Sequence, residues 1–428
     1  MIHFGIICPA VSGHLNPMIG LCYELKQRGH RITFISLLDA QSKIEAAGLE
    51  FQAIGKSEFP LGFIVESLAK LGHLSGQAAL KYALSLFQQV AKTTLREAPK
   101  VIQELDIEAL LVDQTSTSGG TIAEFLEIPF IIICNALVLN RDIIVPPFYT
   151  TWKYHPSLWA KLRNQLGYQL LDFIGKPIIK TINQCRQEWN LSPIYKAHNY
   201  CSKLKLAELS QQPSEFEFPR QNLPSYFHFT GPYYNPKTRQ PVSFPFQKLD
   251  GRPLIYASMG TIQNCLLGVF KSIAKACSDL DNQLVISLGG SANSESLGRL
   301  PGNTIVVDYA PQLEILQKTT LTITHAGLNT TLESLGNGVP MVAIPIANDQ
   351  LGVASRISWT GTGEFIPLKK ISVPVLKEYI EKVFTEYSYK ENALKLQTAI
   401  QQSGGASQGA DIIEEAISNG KPVLSKIN

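Results

Sequence analysis

Short apolar runs of strand length alternate with stretches of helical period along this 428-residue chain, and the alternation runs through twice. A strand buried on both faces reads as a continuous apolar run and needs a crossover helix to reach its parallel neighbour. The chain is thereby constrained to α/β domains with parallel, Rossmann-like sheets. The first series opens with a strand at 2–8, a loop at Pro9–His14, a helix from Pro17 to Arg28 with Asn16 as its cap, and a strand at 31–37. Further strands read at 49–54, 109–112 and 130–134, with a long helical region over 64–105. The second series has strands at 254–257, 283–288, 304–307, 321–324 and 341–345, with helices at 266–278 and 329–337. Between the series, residues 231–253 hold five prolines and neither period, which predicts a linker. The expected organisation is a first domain over 1–230, the linker, a second domain over 254–402, and a C-terminal helix and tail over 403–428 that pack back on the first domain. Strand carboxyl ends of both sheets would then face one cleft, the natural ligand site.

Composition narrows the function. With 45% hydrophobic and 17% charged residues the chain has material for two cores, which excludes extensive disorder. A formal charge of +3 leaves no dominant footprint for nucleic acid. The seven cysteines are scattered without a C-x-x-C pair, so structural thiols in a reducing compartment are expected and a zinc site is not. The N-terminus reads as a strand and not as a signal peptide, and the longest apolar run, 128–140, is too short to cross a bilayer. These features predict a cytoplasmic protein.

The densest chemical constellation is His325-Ala-Gly-Leu-Asn-Thr-Thr-Leu-Glu333, which follows an apolar strand and opens a helix. Gly327 lets backbone approach a ligand, while Asn329, Thr330 and the N–H groups of the first turn make an anion site. Glu333, one turn further on, is in reach of a ribose hydroxyl. The same stretch also reads as an ordinary strand–loop–helix corner capped by Asn329. Ser258, Gly260 and Thr261 end another strand; Tyr309, Ala310 and Gln312 offer a stacking ring and an amide; Asp349 and Gln350 suit sugar hydroxyls. In the first half, His14 ends the opening loop and Asp113 follows the strand at 109–112. Parallel strands bring such ends together, so the two residues form either a general base with its orienting acid or a capping histidine and an unrelated carboxylate. Asp279-Leu-Asp281 precedes a strand, away from the cleft, and reads as a solvated turn.

At these residues the sequence resembles the inverting, nucleotide-sugar-dependent enzymes of the UDP-glycosyltransferase family. The likeness runs from Ser12-Gly-His-Leu-Asn-Pro17 through Val112-Asp113 to the segment Ala310–Gln350. Within the family it looks most like bacterial zeaxanthin glucosyltransferases, through Val112-Asp-Gln114, Asn140-Arg141, Ser258–Thr261, Leu267–Cys277, Gly352–Ile357, Ala410–Glu414 and Pro422–Ser425. The resemblance implies a GT-B fold, an acceptor in the first half and a nucleotide-sugar donor in the second. By position, His14 would be the base and Asp113 its partner. Ser258, Gly260, Thr261, Tyr309, Ala310, Gln312, His325, Gly327, Asn329, Thr330, Glu333, Asp349 and Gln350 would hold the donor. The implied reaction moves a hexose, glucose foremost, from a UDP-sugar to a hydroxyl of a lipophilic acceptor such as a hydroxylated carotenoid, with no metal and no further cofactor. Phenolic or macrolide acceptors, and a GT-B nucleotide-sugar 2-epimerase, are the alternatives. Tyr309 and Leu328 depart from tryptophans common in plant members, which leaves the choice between uridine and thymidine donors open.

The modest net charge hides one strong local bias. Residues 141–205 carry ten Lys and Arg against three Asp and Glu, a surplus of +7 set against −4 elsewhere. Phe148, Tyr149, Trp152, Tyr154 and Trp159 interleave with the bases, and Leu166, Leu170, Phe173 and Ile174 fall at helical spacing. The segment reads either as a peripheral membrane contact or as a helix packed on the first domain with solvated lysines.

Overall fold

The structure is a computed structural model that describes residues 1–74, 76–195, 203–260, 266–290 and 294–425. Its strands are β1 (His3–Ile7), β2 (Arg31–Ser36), β3 (Glu50–Ala53), β4 (Ala109–Asp113), β5 (Phe130–Cys134), β6 (Lys205–Ser210) and β7 (Phe227–Phe229) in the first half. The second half has β8 (Leu254–Ser258), β9 (Gln283–Ser287), β10 (Thr304–Val307), β11 (Thr319–Thr324), β12 (Met341–Ala343) and β13 (Gly363–Phe365). They form two sheets, ordered 3-2-1-4-5-6-7 and 10-9-8-11-12-13, in which every pairing is parallel. The helices of the first half are α1 (Ser12–Gln27), α2 (Gln41–Ala46), α3 (Phe63–His73), α4 (Gly76–Glu104), α5 (Gly119–Leu126) and α6 (Leu158–Glu188). Those of the second are α7 (Leu267–Cys277), α8 (Gln312–Leu316), α9 (Leu328–Gly336), α10 (Gln350–Trp359), α11 (Val373–Thr385), α12 (Tyr387–Gln402) and α13 (Gly405–Asn419). The expected Rossmann-like α/β architecture is present in both halves.

Each sheet changes its direction of growth beside its first strand, between β1 and β4 and between β8 and β11. Loops leaving adjacent strands part at such points and open a crevice. Register fixes what meets there: Ile7 pairs with Val112, and Thr324 with Ser258. The first turn of α1 and Asp113 therefore share one edge, and the loops after β8 and β11 share the other.

One expectation is corrected. The first helix starts at Ser12, not at Pro17, and Asn16 lies within it instead of capping it. The Val11 carbonyl accepts from the N–H groups of His14 and Leu15, both at 3.0 Å, and winds the chain before the proline is reached. His14 is thereby held on a helix and not in a loop. Pro17 has no N–H to give to the carbonyl four residues back, which leaves Gly13 O free on the cleft side.

The two domains are locked together by packing and by a buried charge cluster. Leu137 and Phe216 of the first domain join Leu328, Leu332, Val353 and Ile357 of the second in one apolar cluster. Gly352 on α10 is needed for this approach, since a Cβ there would stand 2.3 Å from the Phe148 carbonyl oxygen. Beside it, Arg356 donates to Glu217 Oε1 through Nε (3.1 Å) and Nη2, with both side chains no more than 2% exposed. Arg220 Nε stands 3.4 Å from the same oxygen. Burial opposes ionisation of Glu217, but Arg220 and Arg356 outweigh it and hold the carboxyl below its usual range.

The linker is packed, not free. Tyr233 is fully buried and belongs to the first core, while Phe244 belongs to a cluster of the second domain. After α12 the chain returns, and α13 lies on α1 and β6. Arg28 clamps it by donating to Asp411 Oδ1 (2.6 Å) and Glu414 Oε2 (2.7 Å), and His30 bonds Glu414 Oε1 at 2.8 Å. Cys8, Cys22, Cys134, Cys185 and Cys277 are free thiols; Cys201 and Cys265 lie outside the described residues.

Removing the acid from the buried cluster leaves two guanidinium groups facing each other without a counter-charge. Glu217→Gln is expected to cost about 3–5 kcal/mol. Urea unfolding checks this, and a loss below about 1 kcal/mol would mean that the pair is as weak as an exposed one.

Candidate active site

The site is assembled from the loops that leave the inner strands of both sheets. On the first domain, His14 Nδ1 lies 2.8 Å from Asp113 Oδ2. An ionised carboxylate only accepts, so Nδ1 carries the proton and Nε2 presents a lone pair. Asp113 is fully buried and saturated with donors. Thr115 gives Oδ1 its backbone N–H (2.8 Å) and its hydroxyl (2.5 Å), and Asn135 Nδ2 donates to Oδ2 at 2.8 Å. Burial works against the charge on Asp113, but His14 and these donors prevail and hold it below the ordinary carboxylate value. For His14, burial alone would lower the pKa; the charge and hydrogen bond of Asp113, with Asp349 behind them, carry it above the ordinary imidazole value.

Asp349 comes from the other domain, so the His14 imidazole feels carboxylates of both halves. The Leu137 N–H donates to its Oδ2 at 3.4 Å, and burial pushes its carboxyl upward while His14 pulls it down. Its neighbour Gln350 is turned away to the backbone: Oε1 accepts from the N–H groups of Ile346 (3.0 Å) and Ala347 (3.1 Å), which shapes the loop that carries Asp349.

Across the cleft, α9 begins at Leu328 with no side-chain cap on its first turn. Its leading N–H groups are therefore open to an anion. His325 sits in front of this turn between two glycines, because a Cβ on either Gly260 or Gly327 would lie 2.5 Å from its Nε2. Burial drives the imidazole down to about 4, only partly offset by its hydrogen bond with the Ser258 backbone, so the ring is neutral. Asn329 reaches over to the first domain. Its Nδ2 donates to Gly13 O at 2.8 Å, the carbonyl that Pro17 leaves free, and its Oδ1 accepts from Gln211 Nε2 at 2.9 Å.

Glu333 is 3% exposed and held at both oxygens, by Arg239 Nη2 of the linker and by Gln312 Nε2, each at 2.6 Å. Gln312 also donates to Thr330 Oγ1 (3.3 Å) and accepts from the Tyr256 hydroxyl (3.1 Å). Tyr309 is half exposed at the mouth with its ring resting on Gly290, and Ala310 packs against the cluster of Phe244, Leu254 and Tyr256. Thr261 lies outside the described residues. The structure thus gathers the other candidates on the two facing edges. Sequence reasoning missed Thr115, Asn135, Gln211 and Arg239. Asn135 directly follows the strand read at 130–134, the same signal that marked Asp113, whereas Gln211 follows β6, which no apolar run announces, and nothing in the proline-rich linker singles out Arg239.

Comparison with known proteins gives this geometry a family. The family model described as "UDP-glucoronosyl and UDP-glucosyl transferase" matches residues 8–402. A zeaxanthin glucosyltransferase of Pantoea ananas is 34% identical over 99% of this chain and 98% of its own length. Another, of Pseudescherichia vulneris, is 29% identical over 99% of this chain and all of its own. Among solved structures, the kitacinnamycin glycotransferase superposes with a TM-score of 0.77 at 21% identity, over 97% of this chain and 98% of that one, a likeness of fold. The chain belongs to the family of UDP-glucuronosyl and UDP-glucosyl transferases and is a glycosyltransferase of the GT-B fold.

Proposed function

We propose that the protein transfers glucose from UDP-glucose, with inversion, to a hydroxyl of a lipophilic acceptor, a hydroxylated carotenoid such as zeaxanthin foremost. The observation that carries the reading is the His14–Asp113 pair, which leaves Nε2 as a base on the cleft edge facing the uncapped start of α9. The acceptor class is supported by the names of the two bacterial relatives. Nε2 takes the proton of the acceptor hydroxyl, and the oxygen forms its bond to the anomeric carbon from the side opposite the nucleotide. The bond from that carbon to the diphosphate breaks, and its electron pair leaves with UDP, so an α-linked donor gives a β-glycoside. Asp113 keeps the ring in the right tautomer and steadies the imidazolium.

The departing diphosphate is met by the first-turn N–H groups of α9, by Asn329 and by Thr330. His325 is uncharged before donor binds, so helix start and side-chain donors carry this task in place of a cation, and the proposal needs no metal ion. Asn329 must exchange its bond to Gly13 for the phosphate, which ties donor binding to the contact between domains. Glu333 accepts from the ribose hydroxyls once Arg239 gives up its place, Tyr309 stacks on the base, and Asp349 lies beside the hexose on the loop that Gln350 shapes.

The test is a mass-spectrometric screen of UDP- and dTDP-sugars against detergent-dispersed zeaxanthin, other terpenoid alcohols, phenolics and macrolides. Glucosylated carotenoid from UDP-glucose supports the reading; transfer confined to phenolics or macrolides, or release of an epimerised sugar, overturns it. His14→Ala is expected to lower kcat by about 10²–10⁴-fold, and wild-type turnover would remove the base assignment. Because His14 must be neutral to act and its pKa is raised, the acid limb of kcat/KM should lie above the ordinary value of ~6.5. Asp113→Asn removes the charge that raises it but not the burial that lowers it, so the limb should move to lower pH; a fixed limb would assign it to another group. Glu333→Ala deletes hydrogen bonds to a charged group worth about 1.5–3 kcal/mol. Donor KM should rise roughly ten- to a hundredfold, and an unchanged value would exclude Glu333 from the ribose.

A further inference from the structure

Much of the basic segment 141–205 is spent inside the protein. Arg141 pairs with Asp172, Arg186 donates to Glu124 Oε2 at 2.9 Å, and Lys205 is buried against Glu208. Phe148 packs between the domains, the Tyr149 hydroxyl donates to Gly167 O at 2.7 Å, and Tyr154 stacks on Phe218. What remains outside is sharply defined. On α6, Leu158, Trp159, Leu162, Leu166, Leu170 and Phe173 are 51–82% exposed. At 3.6 residues per turn they fall within an arc of about 120° and extend for about 22 Å. The opposite arc is buried through Ala160, Asn164, Gly167 and Tyr168.

Six large apolar side chains in one exposed row are uncommon on a monomeric surface and mark an interaction site. The charges around the row choose the partner. Lys176 and Lys180 are exposed and continue the same arc past Phe173, while Lys153 and Lys161 flank its start. Among the described residues none of these four lysines forms an ion pair, and the one acid within the row's length, Asp172, is neutralised by Arg141. An apolar strip edged with unpaired lysines suits a surface that is greasy inside and anionic outside.

We propose that this half of α6 lies on an anionic lipid surface. No described helix is long and apolar enough to cross a membrane, so the contact is peripheral. The buried side of the same helix packs on the chain segment that leaves Asn135 and reaches α10, through contacts of Gly167 with Pro147, Tyr149 and Trp152. Docking would therefore place the acceptor half of the cleft next to the bilayer that dissolves a lipophilic acceptor. The purpose rests on the proposed acceptor class; the contact itself does not.

Co-sedimentation of the full chain with vesicles tests the two separately, because no acceptor is added. Phosphatidylcholine vesicles holding about one-third phosphatidylglycerol should bind the protein at low salt and release it at high salt, and pure phosphatidylcholine should bind it weakly. Leu166→Glu/Leu170→Glu should reduce binding at least tenfold, with transfer to a water-soluble phenolic acceptor unchanged wherever the wild type shows it. Lys176→Glu/Lys180→Glu should weaken binding by about fivefold or more per lysine with all six apolar side chains retained. Failure of the wild type to bind, variants that bind like it, or a dimer in solution that the leucine variant dissociates would each overturn the proposal. Loss of carotenoid transfer with vesicle binding intact would count against the acceptor and leave the surface standing.

Discussion

A single buried carboxylate, Glu217, sets how the halves of this molecule face each other. It belongs to the first domain, and Arg356, rooted in the second, spends its charge on it in a space closed to water. Desolvating such a group costs several kcal/mol, so its value is geometric: only one placement of the domains pairs the charges. Gly352 on the same helix lets the backbones come close enough, and the apolar cluster around Leu137 and Phe216 fills what remains. His14 and Asp349 come from different domains and influence each other only because of this placement.

Within that frame the chemistry follows from sheet order. Both sheets part their loops beside the first strand, and the two crevices are the ones that face. One holds an imidazole tied to a buried acid, the other an uncapped helix start with a neutral imidazole before it. The asymmetry suits the proposed transfer, in which one side accepts a proton while the other receives negative charge. The hydrogen bond between Asn329 and Gly13 O joins the two sides, and it exists because a proline in α1 withholds a donor.

The sequence was most legible where a strand buried on both faces leaves an unbroken apolar run, as at 130–134, which matches β5. It was least legible where structure depends on distant partners. Strand β6 begins at Lys205 and contains Glu208, a pair tolerated only because each buries the other, and no local pattern announces it. The start of α1 was misplaced because Pro17 looked like a first-turn residue, whereas the Val11 carbonyl nucleates the helix earlier. His14 and Asp113 were readable because register in adjacent parallel strands is predictable from where each run ends. Arg239 was not, since an irregular linker has no period that says which way a side chain points.

The chain passes between domains at Gly231 and returns at Ser403, and these two crossings touch. A Cβ on Gly231 would lie 2.2 Å from Ser403 Oγ, and the Gly405 N–H donates to Thr230 O at 2.7 Å. Paired connections at one place act as an axle. The halves can turn about it without stretching either strand, but they cannot drift apart or slide sideways. Opening the cleft would then ask for a rotation of whole domains rather than the unfolding of a flap. Such a rotation would have to break the bond of Asn329 to Gly13 O and the pair of Arg356 with Glu217, both of which join the domains.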